Sequence, residues 1–74
     1  MKILIVDDEE PIRNVCQRSL SKAGHAVALA ATGEEAVEIL KTTVPDGIVV
    51  DLLLPGAIDG FGVMERVHAD PRLP

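Results

Sequence analysis

Three short aliphatic runs divide the chain, and each is followed by a longer segment with helical spacing of its apolar residues. The first run, residues 3–6, is continuous and largely β-branched, as in a strand that is covered on both faces. The second run, residues 25–30, contains three alanines and is weaker in β-propensity, and residues 48–50 form the third run. The pattern predicts three buried strands.

The segment after the first run predicts an amphipathic helix. Pro11 suits a first helical turn, where its missing N–H is not needed, and Gly24 is a natural stop. Between them, positions at helical spacing form one face that we expect to be buried. Its members are Ile12, Val15, Cys16, Ser19, Leu20 and Ala23.

Two further helices follow the second and third runs. Thr32 and Glu35 have the spacing of a capping box. In this motif the Thr hydroxyl accepts a hydrogen bond from the Glu amide, and the Glu side chain accepts one from the Thr amide. The helix that they begin runs to about Thr43, with Ala36, Val37 and Leu40 buried and Val44 closing the face. The turn at residues 45–47 separates it from the third strand. The last helix follows Asp59 and Gly60, ends at Pro71, and has its apolar face at Phe61, Met64 and Val67.

The strict alternation of strand and helix favours an α/β fold with a parallel sheet and right-handed crossovers. No linker, repeat or low-complexity segment interrupts it, so residues 1–74 are expected to form one small domain. Such a short chain buries only a modest core.

Charge and cysteine content exclude several classes of function. The net charge is −5, with twelve Asp and Glu against seven Lys and Arg, so direct nucleic-acid or membrane binding is not expected. The run at residues 3–6 is too short for a membrane span or a signal peptide. The single cysteine, Cys16, cannot form an internal disulfide, which fits a reducing cytoplasm.

Three aspartates carry the most informative chemistry. Asp51 lies between aliphatic residues on both sides, and a desolvated carboxylate there needs a compensating charge. Asp7 and Asp8 end the first run as Asp51 ends the third. If these strands are neighbours, the three carboxylates converge at one edge of the sheet. Oxygen ligands of this kind favour Mg²⁺, and no nearby His or Cys favours zinc.

The residues around these acids resemble the signature of response-regulator receiver domains. The resemblance rests on residues 3–9 (ILIVDDE), residues 48–55 (IVVDLLLP) and the pair Asp59-Gly60, and it covers the whole chain. It implies a flavodoxin-like sheet in which the strands have the order 2-1-3. It also implies a regulatory phosphoacceptor, which is not an enzyme in its own right.

The same resemblance implies a role for each site residue. Asp51 accepts a phosphoryl group from a sensor histidine kinase or a phosphotransfer protein. Asp8 binds Mg²⁺ directly, Asp7 does so mainly through water, and Leu53 contributes its backbone carbonyl.

Two features depart from the family pattern. The loop from Pro55 to Gly60 is one residue longer than the usual Pro-x-x-Asp-Gly. The sequence ends at Pro74, where the fourth strand is expected, so residues 1–74 correspond to the first three β/α units, a partial receiver domain. The family's hydroxyl residue after the fourth strand and its lysine after the fifth have no counterpart here.

Simpler interpretations and other functions remain open. The acids at residues 7–10 also suit helix capping. His25 and His68 have no second ligand at metal spacing, and Cys16, Phe61 and Met64 are expected in the core. One alternative function is a homodimeric interaction module that associates through an exposed third strand. A small mononucleotide-binding unit is disfavoured, because acids and not a glycine-rich loop follow the first strand.

Overall fold

Strands and helices alternate along the chain in the order that the sequence predicts. The computed structural model describes residues 1–72. The elements are β1 (Lys2–Val6), α1 (Glu10–Lys22), β2 (Ala26–Ala30), α2 (Gly33–Thr42), β3 (Gly47–Val50) and α3 (Gly60–Ala69). All six predicted elements are therefore confirmed, with bounds that shift by one or two residues. Two differences are that His25 precedes β2 and that Gly47 belongs to β3.

The three strands form one parallel sheet of order β2-β1-β3. The central strand is β1, whose Val6 pairs with Ala30 on one side and with Val50 on the other. Because all strands run in the same direction, the residues that follow β1 and β3 leave the sheet at the same edge. This is the flavodoxin-like arrangement predicted from the sequence.

The core lies between the sheet and the pair α2 and α3. The chain moves one way from β1 to β2 and the other way from β2 to β3, so right-handed crossovers place α1 and α2 on opposite faces of the sheet. Leu4, Ile5 and Val6 of β1 are essentially inaccessible to solvent, and burial on both faces of this strand explains its continuous aliphatic run. Val63 of α3 is buried to the same extent.

The face of α1 that was predicted to be buried is largely exposed, so that prediction is wrong. Helix α1 contains no buried residue, and Ile12 and Val15 are 45% and 61% exposed. Cys16, expected in the core, is only half-buried. The helix packs on β1 and β2, and within residues 1–72 no second helix lies beside it to cover Ile12 and Val15. Spacing therefore identified the helix but overestimated its burial.

Helix α3 confirms only part of the predicted apolar face, since Val67 packs against the core and Met64 is half-buried. Phe61 is 59% exposed, whereas Val63 is fully buried and Gly60 is buried with it. Positions 60, 63 and 67 have the i, i+3, i+7 spacing of one helical face, whereas Phe61 projects away from it. In α2, Ala36 and Leu40 are buried as predicted, but Val44, beyond the helix end, is 42% exposed.

The start of α2 contains half of the predicted capping box. The Thr32 hydroxyl accepts a hydrogen bond from the Glu35 amide at 3.1 Å. The Glu35 carboxylate lies 3.4 Å from the Thr32 hydroxyl and not at the Thr32 amide. One of the unpaired amides of the first turn is therefore satisfied by Thr32.

No helix within residues 1–72 combines the length and the apolar character that a membrane crossing requires.

Candidate functional site

Asp7 and Asp51 leave the sheet side by side. Val6 and Val50 are paired in the β1–β3 register, so the next residue of each strand is an aspartate. The Asp51 amide donates to the Val6 carbonyl at 2.9 Å, and the Asp7 amide donates to the Ala30 carbonyl at 3.1 Å. Backbone hydrogen bonds thus fix both residues at the carboxyl edge of the sheet.

The structure brings the three predicted acids together. One carboxylate oxygen from each of Asp7, Asp8 and Asp51 lies within 4.8 Å of the other two. Asp7 and Asp51 are half-buried, and Asp8 is exposed. Three like charges at this separation repel one another, and a cation would relieve that repulsion.

Backbone amides orient two of these carboxylates. The Glu9 amide donates to Oδ1 of Asp7 at 2.8 Å, and the Leu53 amide donates to Oδ1 of Asp51 at 2.9 Å. In both aspartates the second oxygen, Oδ2, has no hydrogen-bond partner among residues 1–72. Each carboxylate is therefore oriented through Oδ1, and Oδ2 is left without a hydrogen bond from residues 1–72.

The predicted role of Leu53 depends on its backbone and not on its side chain. The side chain is 86% exposed, whereas the amide is bonded to Asp51. That bond holds the Leu52–Leu53 peptide against the Asp51 carboxylate. The assignment of the carbonyl to a metal remains a prediction.

Sequence reasoning missed Arg13. This residue is half-buried in the first turns of α1, and its guanidinium donates to the Asp7 carbonyl at 2.7 Å. It holds the peptide that joins the two neighbouring aspartates and brings a positive charge to their edge of the sheet. The sequence did contain a signal for this contact, because Arg13 lies six residues after Asp7 and one helical turn into α1.

Neither histidine belongs to the acid cluster. Nδ1 of His25 lies 3.1 Å from the N-terminal amine, and His68 is exposed near the end of α3. All three members of the cluster supply oxygen, which fits Mg²⁺ better than zinc.

A strong ion pair lies away from the acids, after α3. The Arg72 guanidinium donates hydrogen bonds to Asp70 and lowers the pKa of that carboxyl to about 2. The same guanidinium donates to the Leu40 carbonyl at 2.6 Å, near the C-terminal end of α2. Arg72 therefore caps α2, where a cation also complements the helix dipole.

Comparison with known proteins gives one consistent result. Residues 3–74 match the response regulator receiver domain family. The transcriptional regulatory protein AfsQ1 of Streptomyces coelicolor is 43% identical over 72 residues, which are 97% of this chain and 32% of that protein.

Solved receiver structures have the same fold as the chain. The N-terminal domain of a response regulator receiver protein from Methanoculleus marisnigri JR1 superimposes with a TM-score of 0.84 at 35% identity, over 96% of this chain and 57% of that one. Response regulator protein TrrA of Thermotoga maritima, solved in complex with Mg²⁺ and BeF, gives a TM-score of 0.88 at 31% identity, over 96% and 61%. The chain thus spans about a third of the curated relative and somewhat over half of these structures. Since the family match covers nearly every residue and the fold agrees, the chain belongs to the response regulator receiver domain family.

Proposed function

We propose that this chain is a phosphoacceptor module of a two-component system and that Asp51 receives the phosphoryl group. The observation that carries the proposal is the convergence of Asp7, Asp8 and Asp51 within 4.8 Å at the carboxyl edge of the sheet. The donor would be a sensor histidine kinase or a phosphotransfer protein. The module is regulatory, and its location in the cytoplasm stays a prediction from the sequence.

The free oxygen of Asp51 is the nucleophile in this proposal. Because Oδ1 accepts the Leu53 amide, Oδ2 is the oxygen that attacks the phosphorus of a phosphohistidine. A P–O bond forms as the P–N bond breaks, and the electron pair of the broken bond stays on the imidazole nitrogen. Because the second ring nitrogen of the phosphohistidine is protonated in this step, the products are an acyl phosphate on Asp51 and a neutral histidine on the donor.

The residues at the site fit Mg²⁺ as the cofactor. Asp7, Asp8 and Asp51 would hold the ion together with the Leu53 carbonyl, a set made only of oxygen donors. The ion would neutralise charge on the carboxylates and on the incoming phosphoryl oxygens. The relative TrrA, whose structure contains Mg²⁺ and BeF, supports this assignment by similarity.

Intact-mass analysis after incubation with a small acyl phosphate and Mg²⁺ tests the proposal. We expect one labile phosphoryl adduct that is lost in Asp51→Asn and in metal-free buffer. Glu65→Gln is the matched control, because it removes one exposed acid on α3 and leaves the cluster intact. No adduct on a chain that circular dichroism shows to be folded, or an adduct that persists in Asp51→Asn, would overturn the assignment.

Homodimerisation is a second candidate function, and one observation favours it. Among residues 1–72, β3 pairs only with β1, and the side chain of Val49 on one face of β3 is 48% exposed. An open apolar edge of this kind can pair with the same edge of another copy. Sedimentation equilibrium would then show a dimer that Val49→Lys dissociates, whereas a monomer at all concentrations would exclude this function.

A further inference from the structure

The loop between β3 and α3, which carries Leu53, is held by the beginning of α2. Oε1 of Glu34 accepts a hydrogen bond from the Ile58 amide at 2.8 Å. The same carboxylate lies against Gly56, where an added Cβ would be 3.1 Å from Oε2. One side chain of α2 therefore contacts two positions of the loop, in the stretch that is one residue longer than the family pattern.

Backbone packing adds a second contact between α2 and this loop. Gly33, the first residue of α2, is buried against Ile58, and an added Cβ would overlap the Ile58 carbonyl oxygen. The Ile58 side chain is half-buried and packs against the hydrophobic core. The Ile58 peptide is thus held from its amide side by Glu34 and from its carbonyl side by Gly33.

The same loop closes on the phosphoacceptor candidate. Gly60 is buried two residues after Ile58, and an added Cβ there would overlap the Asp51 carbonyl and approach the Cα of Leu52. The two ends of the loop therefore touch each other beside Asp51. Only Asp59 separates Ile58 from Gly60, which packs directly on the Asp51 carbonyl.

We propose that Glu34 is a positioning residue of the phosphoacceptor site. It holds the β3–α3 loop, in the stretch that is one residue longer than the family pattern, so that the Leu53 amide stays on Oδ1 of Asp51. The carboxylate forms a charge-assisted hydrogen bond, which is stronger than one between neutral groups. This inference rests on the proposed function of Asp51.

A simpler role for Glu34 is charge complementarity with the α2 dipole, and Glu35 separates the two roles. Both residues are acidic, exposed and in the first turn of α2. Only Glu34 contacts the loop, because the Glu35 carboxylate lies at the Thr32 hydroxyl. Glu35→Ala is therefore the matched control for Glu34→Ala.

The experiment measures the rate of phosphorylation of Asp51 by a small acyl phosphate at saturating Mg²⁺, beside thermal unfolding of each variant. Loss of one such hydrogen bond in Glu34→Ala should slow phosphorylation about two- to tenfold. Glu34→Gln should recover most of the rate, because its amide oxygen can still accept from Ile58. Glu35→Ala should keep the wild-type rate even if it lowers the unfolding temperature as much as Glu34→Ala does. A wild-type rate in Glu34→Ala, or equal slowing in Glu35→Ala, would overturn the inference.

Amide NMR spectra distinguish failure of this inference from failure of the proposed function. If the wild-type chain is not phosphorylated at all, the assignment of Asp51 fails. The amide resonances of Leu53 and Ile58 still report on the loop, and positioning by Glu34 requires both to shift in Glu34→Ala and not in Glu35→Ala. Unshifted Leu53 in Glu34→Ala would overturn the positioning role independently of any phosphorylation.

Discussion

The Asp51 amide donates a hydrogen bond to the Val6 carbonyl at 2.9 Å, which extends the β1–β3 ladder one residue beyond β3. This bond fixes Asp51 next to Asp7, the residue that follows Val6. Because Asp8 brings a third carboxylate within 4.8 Å, the folded chain holds charges that an unfolded chain would separate. Repulsion among these carboxylates therefore opposes folding of the metal-free chain.

Asp51→Asn should therefore stabilise the metal-free protein. Removing one of the like charges should raise the free energy of unfolding by about 1–3 kcal/mol, the interaction of charges at this separation in a half-exposed site. The asparagine oxygen can still accept from the Leu53 amide, so little else changes. Urea unfolding followed by circular dichroism in the presence of a chelator measures the difference.

Added Mg²⁺ should make the wild-type chain more stable than Asp51→Asn, the reverse of the order expected without metal. It should stabilise the wild-type chain by binding the folded state and should have a smaller effect on Asp51→Asn. Glu65→Gln, outside the cluster, should respond to Mg²⁺ as the wild type does. If Asp51→Asn were less stable than the wild type when both are free of metal, this result would argue against repulsion in the cluster.

The pKa of Asp70 should be restored when Arg72 is removed. Hydrogen bonds from the Arg72 guanidinium lower this pKa to about 2 from an ordinary value of 3.8. In Arg72→Ala the titration midpoint of the Asp70 side-chain carboxyl, followed by NMR, should return towards 3.8.

The sign of the accompanying stability change follows from the lowered pKa. A carboxyl whose pKa is lower in the folded state contributes stability above its unfolded pKa and loses it as the pH falls. The advantage of wild type over Asp70→Asn should thus be present at pH 5 and vanish as the pH falls from about 4 to 2. The pair is partly exposed, so high salt should reduce the advantage. An advantage that is unchanged at pH 2 would contradict this interpretation.

Periodicity predicted the three strands well because burial leaves a local pattern, whereas the strand order that brings Asp7 and Asp51 together followed from the family resemblance. The continuous aliphatic run of β1 reflects burial on both faces, and Asp7 and Asp51 stand directly after the strands that place them. The apolar face of α1 was predicted less well. Spacing identifies which side chains of a helix share a face, but whether Val15 is buried depends on what else packs there.

Long-range hydrogen bonds could not be predicted from the sequence. The Glu34 carboxylate meets the Ile58 amide across 24 positions, and the Arg72 guanidinium meets the Leu40 carbonyl across 32. Such bonds have no period and no fixed spacing, because they depend on how a loop folds against a distant helix end. They can be located only when the positions of the strands and helices in the folded chain are already known.

Thr32→Ala should destabilise the fold by removing the cap of α2. The Thr32 hydroxyl accepts from the Glu35 amide at 3.1 Å, and loss of such a cap costs about 1 kcal/mol. Thr32→Ser keeps the hydroxyl and is the matched control. In chemical denaturation, the free energy of unfolding of Thr32→Ser should be close to that of the wild type, and that of Thr32→Ala should be lower. Equal stability of all three proteins would show that solvent replaces the cap.

Truncation to alanine should change the free energy of unfolding by very different amounts at Leu4, which lies in β1, and at Leu53, which lies in the loop after β3. Leu4 is fully buried at the centre of the sheet and packs in the core, whereas the Leu53 side chain is 86% exposed. Leu4→Ala removes core contacts and leaves a cavity, at a cost of about 2–5 kcal/mol. A domain of this size has little more stability than that, so the variant should be largely unfolded at room temperature.

Leu53→Ala should change the free energy of unfolding by less than about 0.5 kcal/mol, as is usual for exposed positions. It should also retain Mg²⁺-dependent phosphorylation, because the role proposed for Leu53 uses its backbone carbonyl and its amide holds Asp51. Urea unfolding and intact-mass analysis of the same two preparations measure both quantities. If Leu53→Ala unfolded as readily as Leu4→Ala, the exposed side chain would have to be packed in solution, and the loop that presents Asp51 would differ from the one described.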